Sequence, residues 1–432
     1  MNMALLAPNK PSNQPNKLKQ MLYKADTLIL HMFIGRPVPP EKLVDREEIV
    51  SKLVRDLSNM KINPAYALLG YRRIGKSSIL LKVKEELESK GLIVVYYDVK
   101  ERLTDPETFL IDLQSEIFQA YSRHISIIEK VALKASELKK VTLQKITEIV
   151  SSIDEVGVEI SPDGRITPKI HFEHKGRADY AELFRSVFRT ADVIAKKSKR
   201  RVVLFLDEFQ DITKLKEYKG LKNALDLYRG VLQTRENVCH VISGSRVHML
   251  RSILEEHDSP LFQHFVPVFV GPLKEEDAMK LFSIIVEQKD LNLNKESINK
   301  GAKEAISLVG GHPYYIIMLA EVWDGKMSLD DVFCRLISAP TGSIYIYTNY
   351  VLAEDLGEAK GGPMLKRVVR TIALAGNAIE ASEIARSVGK PQNYLEFYLQ
   401  ELIKYDVIRK VQRGLYEMGD KVVARCIAKN YA

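Results

Sequence analysis

The segment GYRRIGKS, residues 70–77, limits more than any other feature how this chain of 432 residues can fold. Its spacing is G-x-x-x-x-G-K-[ST], and it lies between the apolar run PAYALLG and the amphipathic stretch KSSILLKVKEELESKG. This spacing is informative when the motif follows a strand and begins a helix. The segment therefore predicts a strand, a tight loop and a helix in that order, which is the beginning of a parallel α/β sheet.

The same loop predicts a polyphosphate site. Its glycines let the backbone turn so that consecutive N–H groups point inward, and the following helix adds the partial positive charge of its N-terminus. Lys76 should reach the β and γ phosphates, and the Ser77 hydroxyl should ligate Mg²⁺. The residues expected to contact the nucleotide are Gly70, Tyr71, Arg72, Arg73, Ile74, Gly75, Lys76, Ser77 and Ser78.

The run RVVLFLDEFQ predicts a buried strand that ends in two acids. Asp207 can hold Mg²⁺ through water, and Glu208 can orient and deprotonate an attacking water. An acid pair at this place is typical of ATPases that keep their base there. A GTPase would need an Asn-Lys-x-Asp clamp, but NKES at 294–297 lacks the aspartate, so ATP is the preferred nucleotide.

Two further turns carry polar groups. VISGSR ends a predicted strand with Ser243, Ser245 and Arg246, where a γ-phosphate sensor would lie; a plain Gly-Ser turn is the alternative. GGHPYY, residues 310–315, separates two predicted helices, with Pro313 suited to a first helical turn. An ordinary interhelix turn also explains GGHPYY.

Changes in the apolar pattern divide the chain into four predicted regions. They are an N-terminal tail and lead-in at 1–32, an α/β domain at 33–272 with an inserted β-hairpin at 156–172, a helical lid at 273–358 and a winged-helix domain at 359–432. The predicted fold class is therefore α/β, a parallel sheet core followed by a helical lid and a C-terminal winged helix.

Composition narrows the setting of the protein. No apolar run reaches the roughly 18–20 residues of a membrane span, and three cysteines far apart in sequence suggest no disulfide framework. We therefore expect a cytoplasmic protein without a membrane partner. The net charge is +8, and residues 361–432 hold twelve Lys and Arg against seven Asp and Glu, a net +5 that favours an acidic partner for this end.

The chain resembles the archaeal AAA+/STAND-type P-loop (Walker) ATPases with a C-terminal winged helix. The resemblance rests on GYRRIGKSS, LVDREEIVSKL, VVLFLDEFQDI, VISGSRVHML, SPLFQHF and GGHPYY in this order, and it covers roughly residues 33–425. It implies that Val44 and Arg46 of the VDRE box line the adenine side of a bound nucleotide. It also implies that the polar residues of VISGSR form the first sensor and that His312 and Pro313 close a lid over the base.

One position departs from the family pattern. Members commonly carry a Gly-Arg pair after Pro-Leu-aromatic, an arginine finger that reaches a neighbouring subunit's ATP, whereas this chain has Gln263 and His264. A neutral imidazole cannot fork onto a γ-phosphate as a guanidinium does. Hydrolysis triggered between subunits of a homo-oligomer would then need Arg246 or Arg251 as a substitute.

The winged-helix reading predicts a recognition helix in PQNYLEFYLQELIKY, followed by a basic wing. Gln and Asn side chains can hydrogen-bond adenine edges, and cations in a wing can meet phosphates of duplex DNA. The candidate DNA-contacting residues are Gln392, Asn393, Tyr394, Arg409, Lys410 and Arg413.

Against DNA stand Glu396 and Glu401 in the same helix, because phosphates repel carboxylates. The leading hypothesis is a Mg²⁺-dependent ATPase that binds and hydrolyses ATP and couples nucleotide state to DNA contact through the winged helix. The alternatives are a regulatory switch that binds a protein partner without DNA, and an oligomeric factor for replication or transposition assembly.

Overall fold

A computed structural model describes residues 36–129, 156–160, 166–170, 180–289 and 291–431. The predicted tail at 1–32 lies outside these residues. The chain divides into two compact units: one is Arg36–Gly271, and the other contains Pro272–Ala432. No helix in the described ranges is both long and apolar enough to span a membrane.

A five-stranded parallel sheet forms the centre of the first unit, in the order β2-β5-β6-β1-β7. Its strands are β1 Ala65–Leu69, β2 Ile93–Asp98, β5 Val202–Asp207, β6 Val238–Gly244 and β7 Val266–Phe269. Every residue of β1, β5 and β6 is buried, as expected for a parallel sheet covered on both faces. The predicted parallel α/β sheet is confirmed. Since all strands run one way, their carboxyl ends meet at one edge.

Helices cover both faces of this sheet. They are α1 Glu47–Ser58, α2 Lys76–Ser89, α3 Val99–Arg102, α4 Pro106–Glu129, α5 Tyr180–Ser198, α6 Ala224–Thr234 and α7 Val247–Glu255, with 3₁₀ segments at Pro40–Lys42 and Phe209–Glu217. Alternate strand residues point to opposite faces. Tyr66 and Leu68 therefore join the core beneath α1 and α2, whereas Ala65 and Ala67 join the core on the other face.

Strand β7 was not predicted from the sequence. It lies at the edge of the sheet beside β1, where Val266, Pro267 and Phe269 remain exposed. An edge position tolerates proline, because the missing N–H faces no partner strand. Because a proline within an apolar run argues against a strand, the sequence pattern did not predict this one.

A separate antiparallel pair connects α4 to α5 along the chain. Strand β3, Val156–Ile160, pairs with β4, Ile166–Ile170, with Val156 opposite Ile170. Its register places the two strands as a hairpin, the structure that alternation around SPDGR predicts. The turn between them and residues 171–172 lie outside the described residues.

The second unit begins with helices and ends with helices and a small sheet. The helices are α8 Glu275–Glu287, α9 Lys295–Val309, α10 Pro313–Val322, α11 Leu329–Leu336, α12 Ser343–Glu358, α13 Pro363–Ala375, α14 Ala381–Val388, α15 Gln392–Lys404 and α16 Lys421–Tyr431. The strands are β8 Ile379–Glu380, β9 Ile408–Gln412 and β10 Leu415–Met418, in the antiparallel order β8-β10-β9. From α13 to β10 the chain thus has three helices and a β9–β10 hairpin.

The last helix, α16, was also not predicted from the sequence. It contributes to two cores within this unit: Val422 and Cys426 pack with residues of α8 to α12, and Val423 and Ile427 pack with residues of α13 to β10. One helix therefore ties the helical part of the unit to its C-terminal part.

Candidate active site

The phosphate loop joins β1 to α2 through a bend that only certain residues allow. A Cβ on Gly70 would lie 2.5 Å from the carbonyl oxygen of Val270, so a side chain has no room there. Arg73 and Gly75 adopt left-handed backbone conformations, with φ of 61° and 106°. This conformation is easy for glycine and uncommon for other residues. The loop consequently turns sharply and delivers Lys76 to the first position of α2.

Lys76 is only 5% exposed, and its ammonium group lies inside the bend of the loop. Nζ donates hydrogen bonds to the carbonyl oxygens of Gly70 at 2.8 Å and Tyr71 at 3.1 Å. A buried lysine needs such partners. The first N–H groups of a helix have no partner within the helix, so the backbone amides at the start of α2 and the Lys76 ammonium together form a site for an anion.

The Asp207 carboxylate meets the loop from the neighbouring region of the sheet. Ser77 Oγ donates to Asp207 Oδ2 at 2.7 Å, across a sequence separation of 130 residues. Tyr96 Oη donates to the same oxygen at 2.7 Å. The other oxygen, Oδ1, accepts from Ser243 Oγ and from the backbone N–H of Glu208 at 3.0 Å. The structure therefore joins the two halves of the site that the sequence predicted.

Burial raises the pKa of the Tyr96 phenol far above its ordinary value, and the negative charge of Asp207 adds to this effect. Tyr96 thus keeps its proton and acts as a donor. Asp98 ends β2, the strand that contains Tyr96, and it is in register with Asp207 of β5. Its burial, opposed by a hydrogen bond from the Glu101 amide and reinforced by the nearby acids, raises its pKa to about 6. Neither Tyr96 nor Asp98 was among the predicted site residues.

Glu208 follows Asp207 in a left-handed conformation, φ 51°. Its Oε2 accepts hydrogen bonds from Gln210 Nε2 at 2.6 Å and from Ser245, through N at 3.1 Å and Oγ at 2.8 Å. Burial raises the pKa of Glu208, but the charge of Lys76 and these hydrogen bonds outweigh it and leave the pKa below its usual value. Glu208 is therefore ionised near neutral pH.

Gln210 is a further residue of the site that was not predicted from the sequence. It is almost fully buried, and its amide packs against Gly244 at the end of β6, where a Cβ would collide with Gln210 Oε1. This packing holds the Gln210 amide beside Glu208. The glycine of VISGSR could have signalled a close approach, but it could not have identified the side chain that approaches.

The VDRE box supports the loop from behind. Arg46 Nη2 donates to the carbonyl oxygens of Gly271 at 2.7 Å and Ile74 at 3.4 Å, and Val44 is partly buried nearby in the chain. Ser78 Oγ accepts a hydrogen bond from the backbone N–H of Val38 at 3.1 Å, which ties the segment before α1 to α2. These contacts position the loop; contacts with an adenine base stay a prediction.

The remaining predicted residues fall into two groups. Arg246 is buried just before α7, and Tyr71, Arg72 and Arg73 are partly exposed on the loop. His312 and Pro313 belong to the other unit, where Pro313 begins α10. Closure of these two residues over a base therefore stays a prediction.

The donor set around Asp207 suits a hard cation. It consists of oxygens from Ser77, Ser243 and Asp207 itself, the ligand type that Mg²⁺ prefers. In the described part of the chain, no cluster of three or more His, Cys, Asp or Glu could hold a metal.

The predicted DNA-contacting side chains are all exposed on α15 and around the β9–β10 hairpin; they are Gln392, Asn393, Tyr394, Arg409, Lys410 and Arg413. Arg409 is already engaged, because its Nε and Nη2 lie 2.6 Å and 2.5 Å from Glu417 Oε1. Two aromatic side chains of α15 also face solvent, Tyr394 at 48% and Phe397 at 50% exposure.

A parallel sheet with a glycine-rich loop after β1, a lysine at the start of α2 and an acid pair after β5 defines a P-loop nucleoside triphosphatase. Residues 43–319 match the model of an ATPase domain found predominantly in Archaea, and the chain belongs to this family. The resemblance to archaeal Walker ATPases is thereby confirmed. A search of curated protein sequences found no relative.

One solved structure shows the same fold. The Walker-type ATPase PABY2304 of Pyrococcus abyssi superposes with a TM-score of 0.63 at 22% identity, over 91% of this chain and 99% of that one. The ORC2 protein of Aeropyrum pernix, solved in ADPNP-ADP complexes, has a TM-score of 0.49 at 12% identity, over 92% of this chain and 98% of that one.

Proposed function

We propose that this chain binds ATP with Mg²⁺ in the site of the first unit and hydrolyses it. The observation that carries the proposal is the 2.7 Å hydrogen bond between Ser77 and Asp207, because it brings the phosphate loop and the acidic strand end together. A polyphosphate and its cation need both elements at once. Each element alone would bind much less selectively.

Each site residue has a distinct role in this proposal. Lys76 exchanges the carbonyls of Gly70 and Tyr71 for phosphate oxygens. Ser77 and Asp207 would hold Mg²⁺, which when bound offsets the phosphate charge. Glu208 accepts the proton of the attacking water. All its described hydrogen bonds go to Oε2, so Oε1 is the oxygen that faces this task.

Calorimetric titration with ATP and Mg²⁺ tests the proposal directly. Lys76→Ala should abolish the binding heat, because the variant loses the cation that meets the phosphates. Lys82→Ala is the matched control, since Lys82 lies on the same helix but forms ion pairs with Glu85 and Glu86 at the surface. No heat with the parent protein, or equal heat with Lys76→Ala, would reject the nucleotide site.

We further propose that the nucleotide state controls the contact of a C-terminal winged helix with duplex DNA. The three helices and hairpin from α13 to β10 have the order expected for a winged helix, and this end of the chain carries a net +5. Lys410 and Arg413 are exposed near the hairpin turn. Cations at such a turn can neutralise DNA phosphates.

A chain of contacts in the second unit supports this coupling. The His312 ring packs on the Tyr315 ring at 4.7 Å, and Tyr315 Oη donates to Asp420 Oδ2 at 2.5 Å. Asp420 Oδ1 in turn accepts the N–H groups of Val422 and Val423 at the start of α16. Since α16 packs into both cores of the unit, a shift of the GGHPYY turn would change the setting of the C-terminal elements.

Salt dependence of duplex binding tests the DNA proposal. Each phosphate contact that releases a counterion makes the slope of log K against log salt more negative by about 0.9. The slope for Arg413→Ala should therefore be less negative than that of the parent by about 0.9. Arg409→Ala should change the slope less, because Glu417 already neutralises Arg409. No duplex affinity at low salt would reject DNA as the partner.

One observation favours the alternative of a protein partner. Tyr394 and Phe397 expose about half of their surface on α15, and exposed aromatic side chains are enriched at protein interfaces. Glu396, between them, is also exposed and would repel phosphates. If duplex DNA fails to bind while Phe397→Ala disrupts capture of a purified protein partner, the switch function replaces the DNA function.

An oligomeric assembly factor is the remaining candidate. Arg251 lies exposed on α7, 3.8 Å from Glu255 and over the Phe269 ring at 5.9 Å, so a guanidinium is present at the surface of this unit. Light scattering with a non-hydrolysable ATP analogue measures the mass. A monomer in every nucleotide state would exclude this candidate.

A further inference from the structure

The Asp207 carboxylate is saturated with donors from the protein itself. An ionised carboxylate offers about four acceptor positions, two on each oxygen. Ser243 and the Glu208 amide fill those of Oδ1, and Ser77 and Tyr96 fill those of Oδ2. A water bound to a metal would also have to donate to this carboxylate. One of the four donors must then give up its position.

The four donors differ in their ability to leave. The Glu208 amide is fixed by the backbone, and Ser243 is fully buried at the end of β6. Ser77 can donate its proton to Asp207 and still direct its lone pairs at a cation, so its bond need not break. Tyr96 is only partly buried, and its phenol is the one donor on a long side chain.

The position of Tyr96 shows which oxygen of Asp207 a metal-bound water would need. Tyr96 shares Oδ2 with Ser77, so this oxygen faces the phosphate loop, whereas Oδ1 faces β6 and the backbone after β5. A cation held by Ser77 would be hydrated next to Oδ2. The phenol proton therefore occupies the place that a metal-bound water needs.

We propose that Tyr96 is a positioning residue that competes with metal-bound water for Asp207 Oδ2 and so raises the Mg²⁺ concentration at which the nucleotide site fills. The proposal rests on the Mg²⁺·ATP function proposed above. It assigns to a strand residue outside both sequence motifs control over the metal requirement of the site. Without the cation, the same hydrogen bond keeps Asp207 oriented toward the loop.

The test measures metal binding rather than turnover. Mn²⁺, which is visible by electron paramagnetic resonance, is titrated into full-length protein saturated with ATP. Tyr96→Phe keeps the ring and removes the donor, and it should lower the half-saturating Mn²⁺ concentration by about tenfold, which corresponds to 1.4 kcal/mol. A hydrogen bond to a charged group is large enough for such a change.

Tyr97→Phe is the matched control. Tyr97 is the next residue of β2 and points to the opposite face, where its hydroxyl donates to the Phe109 carbonyl at 3.2 Å. Its loss should leave the Mn²⁺ titration unchanged. ATP affinity in excess chelator should be equal in parent and both variants, and thermal unfolding in the same buffer verifies that each variant is folded.

The possible outcomes separate this inference from the proposed function. An unchanged or raised half-saturating Mn²⁺ concentration in Tyr96→Phe, with normal metal binding by the parent, overturns the competing role of Tyr96 alone. A parent protein that binds ATP without any influence of Mn²⁺ or Mg²⁺ overturns the metal site itself. A tenfold shift in both variants would show that β2 packing, not the hydrogen bond to Asp207, controls the metal.

Discussion

Replacing Glu208 by glutamine and by alanine separates the chemistry of this residue from its structural contacts. Oε2 of Glu208 accepts three hydrogen bonds, from Gln210 Nε2 and from the N and Oγ of Ser245. The amide oxygen of glutamine can accept the same three bonds, but glutamine cannot take a proton from water. Alanine removes the acceptor altogether.

The contacts give the expected magnitudes. Loss of a general base lowers turnover by about 10²–10⁴-fold, or about 3–5 kcal/mol of barrier, in both variants. Leaving buried donors without a partner costs about 1–3 kcal/mol for each donor. Gln210 and Ser245 are both buried. Glu208→Ala leaves three such donors without an acceptor, so its free energy of unfolding should be at least about 3 kcal/mol below that of Glu208→Gln, which should stay close to the parent protein.

Three measurements check these expectations: single-turnover hydrolysis, ATP binding by calorimetry, and unfolding by denaturant. Glu208→Gln should bind ATP at least as tightly as the parent, because a negative charge that interacts with Lys76 is removed. Glu217→Gln makes the same change at an exposed position on the adjoining 3₁₀ segment and should alter nothing. Turnover of Glu208→Gln within tenfold of the parent would refute the base. Equal stability of the two Glu208 variants would refute the hydrogen-bonded anchor.

Three further predictions follow from the described contacts. Gly70→Ala should lower ATP affinity more than tenfold in calorimetry, because the new Cβ would lie 2.5 Å from the carbonyl oxygen of Val270. Gly230→Ala is the control: no atom lies within 4 Å of its new Cβ, and the alanine should stabilise the helix by about 0.5–1 kcal/mol. Burial raises the pKa of Asp192 to about 6, so ionisation of this carboxyl should make the parent protein less stable as pH rises from about 4 through 6. The unfolding temperature of Asp192→Asn should therefore rise relative to that of the parent over this range. Unfolding temperatures that change equally with pH in the two proteins would contradict the prediction. Tyr315→Phe should keep its affinity for ATP, but ATP should no longer change its affinity for duplex DNA. If ATP changes duplex affinity equally in Tyr315→Phe and the parent, the proposed coupling through α16 is wrong.

The sequence predicted the parts of the site that are contiguous along the chain. The loop before α2 and the acids after β5 each carry a local pattern of apolar run and polar end, and parallel strands then bring the ends together. Tyr96 gives no such signal, because in LIVVYYDV it reads as one more core residue. Its role depends on the pairing of β2 with β5, with Asp98 opposite Asp207, which places Tyr96 on the Asp207 side and Tyr97 on the other.

Long-range packing explains the other residues that the sequence did not identify. Gln210 lies two positions after Glu208 and acts on it only because the 3₁₀ segment after β5 turns its amide back toward the carboxylate. Helix α16 has an ordinary amphipathic pattern, but two separate cores share its apolar face. Neither the backbone turn nor the division of a face between two cores can be read from a single sequence.

The internal hydrogen bonds of the site bear on its energetics as an ATPase. The Lys76 ammonium is bonded to loop carbonyls, Asp207 has four donors, and Glu208 Oε2 has three. A nucleotide must replace such bonds rather than satisfy empty groups, so only the difference between new and old bonds contributes to affinity. A site that is satisfied before ATP arrives therefore gains less binding free energy from each new contact than a site with unpaired groups would gain.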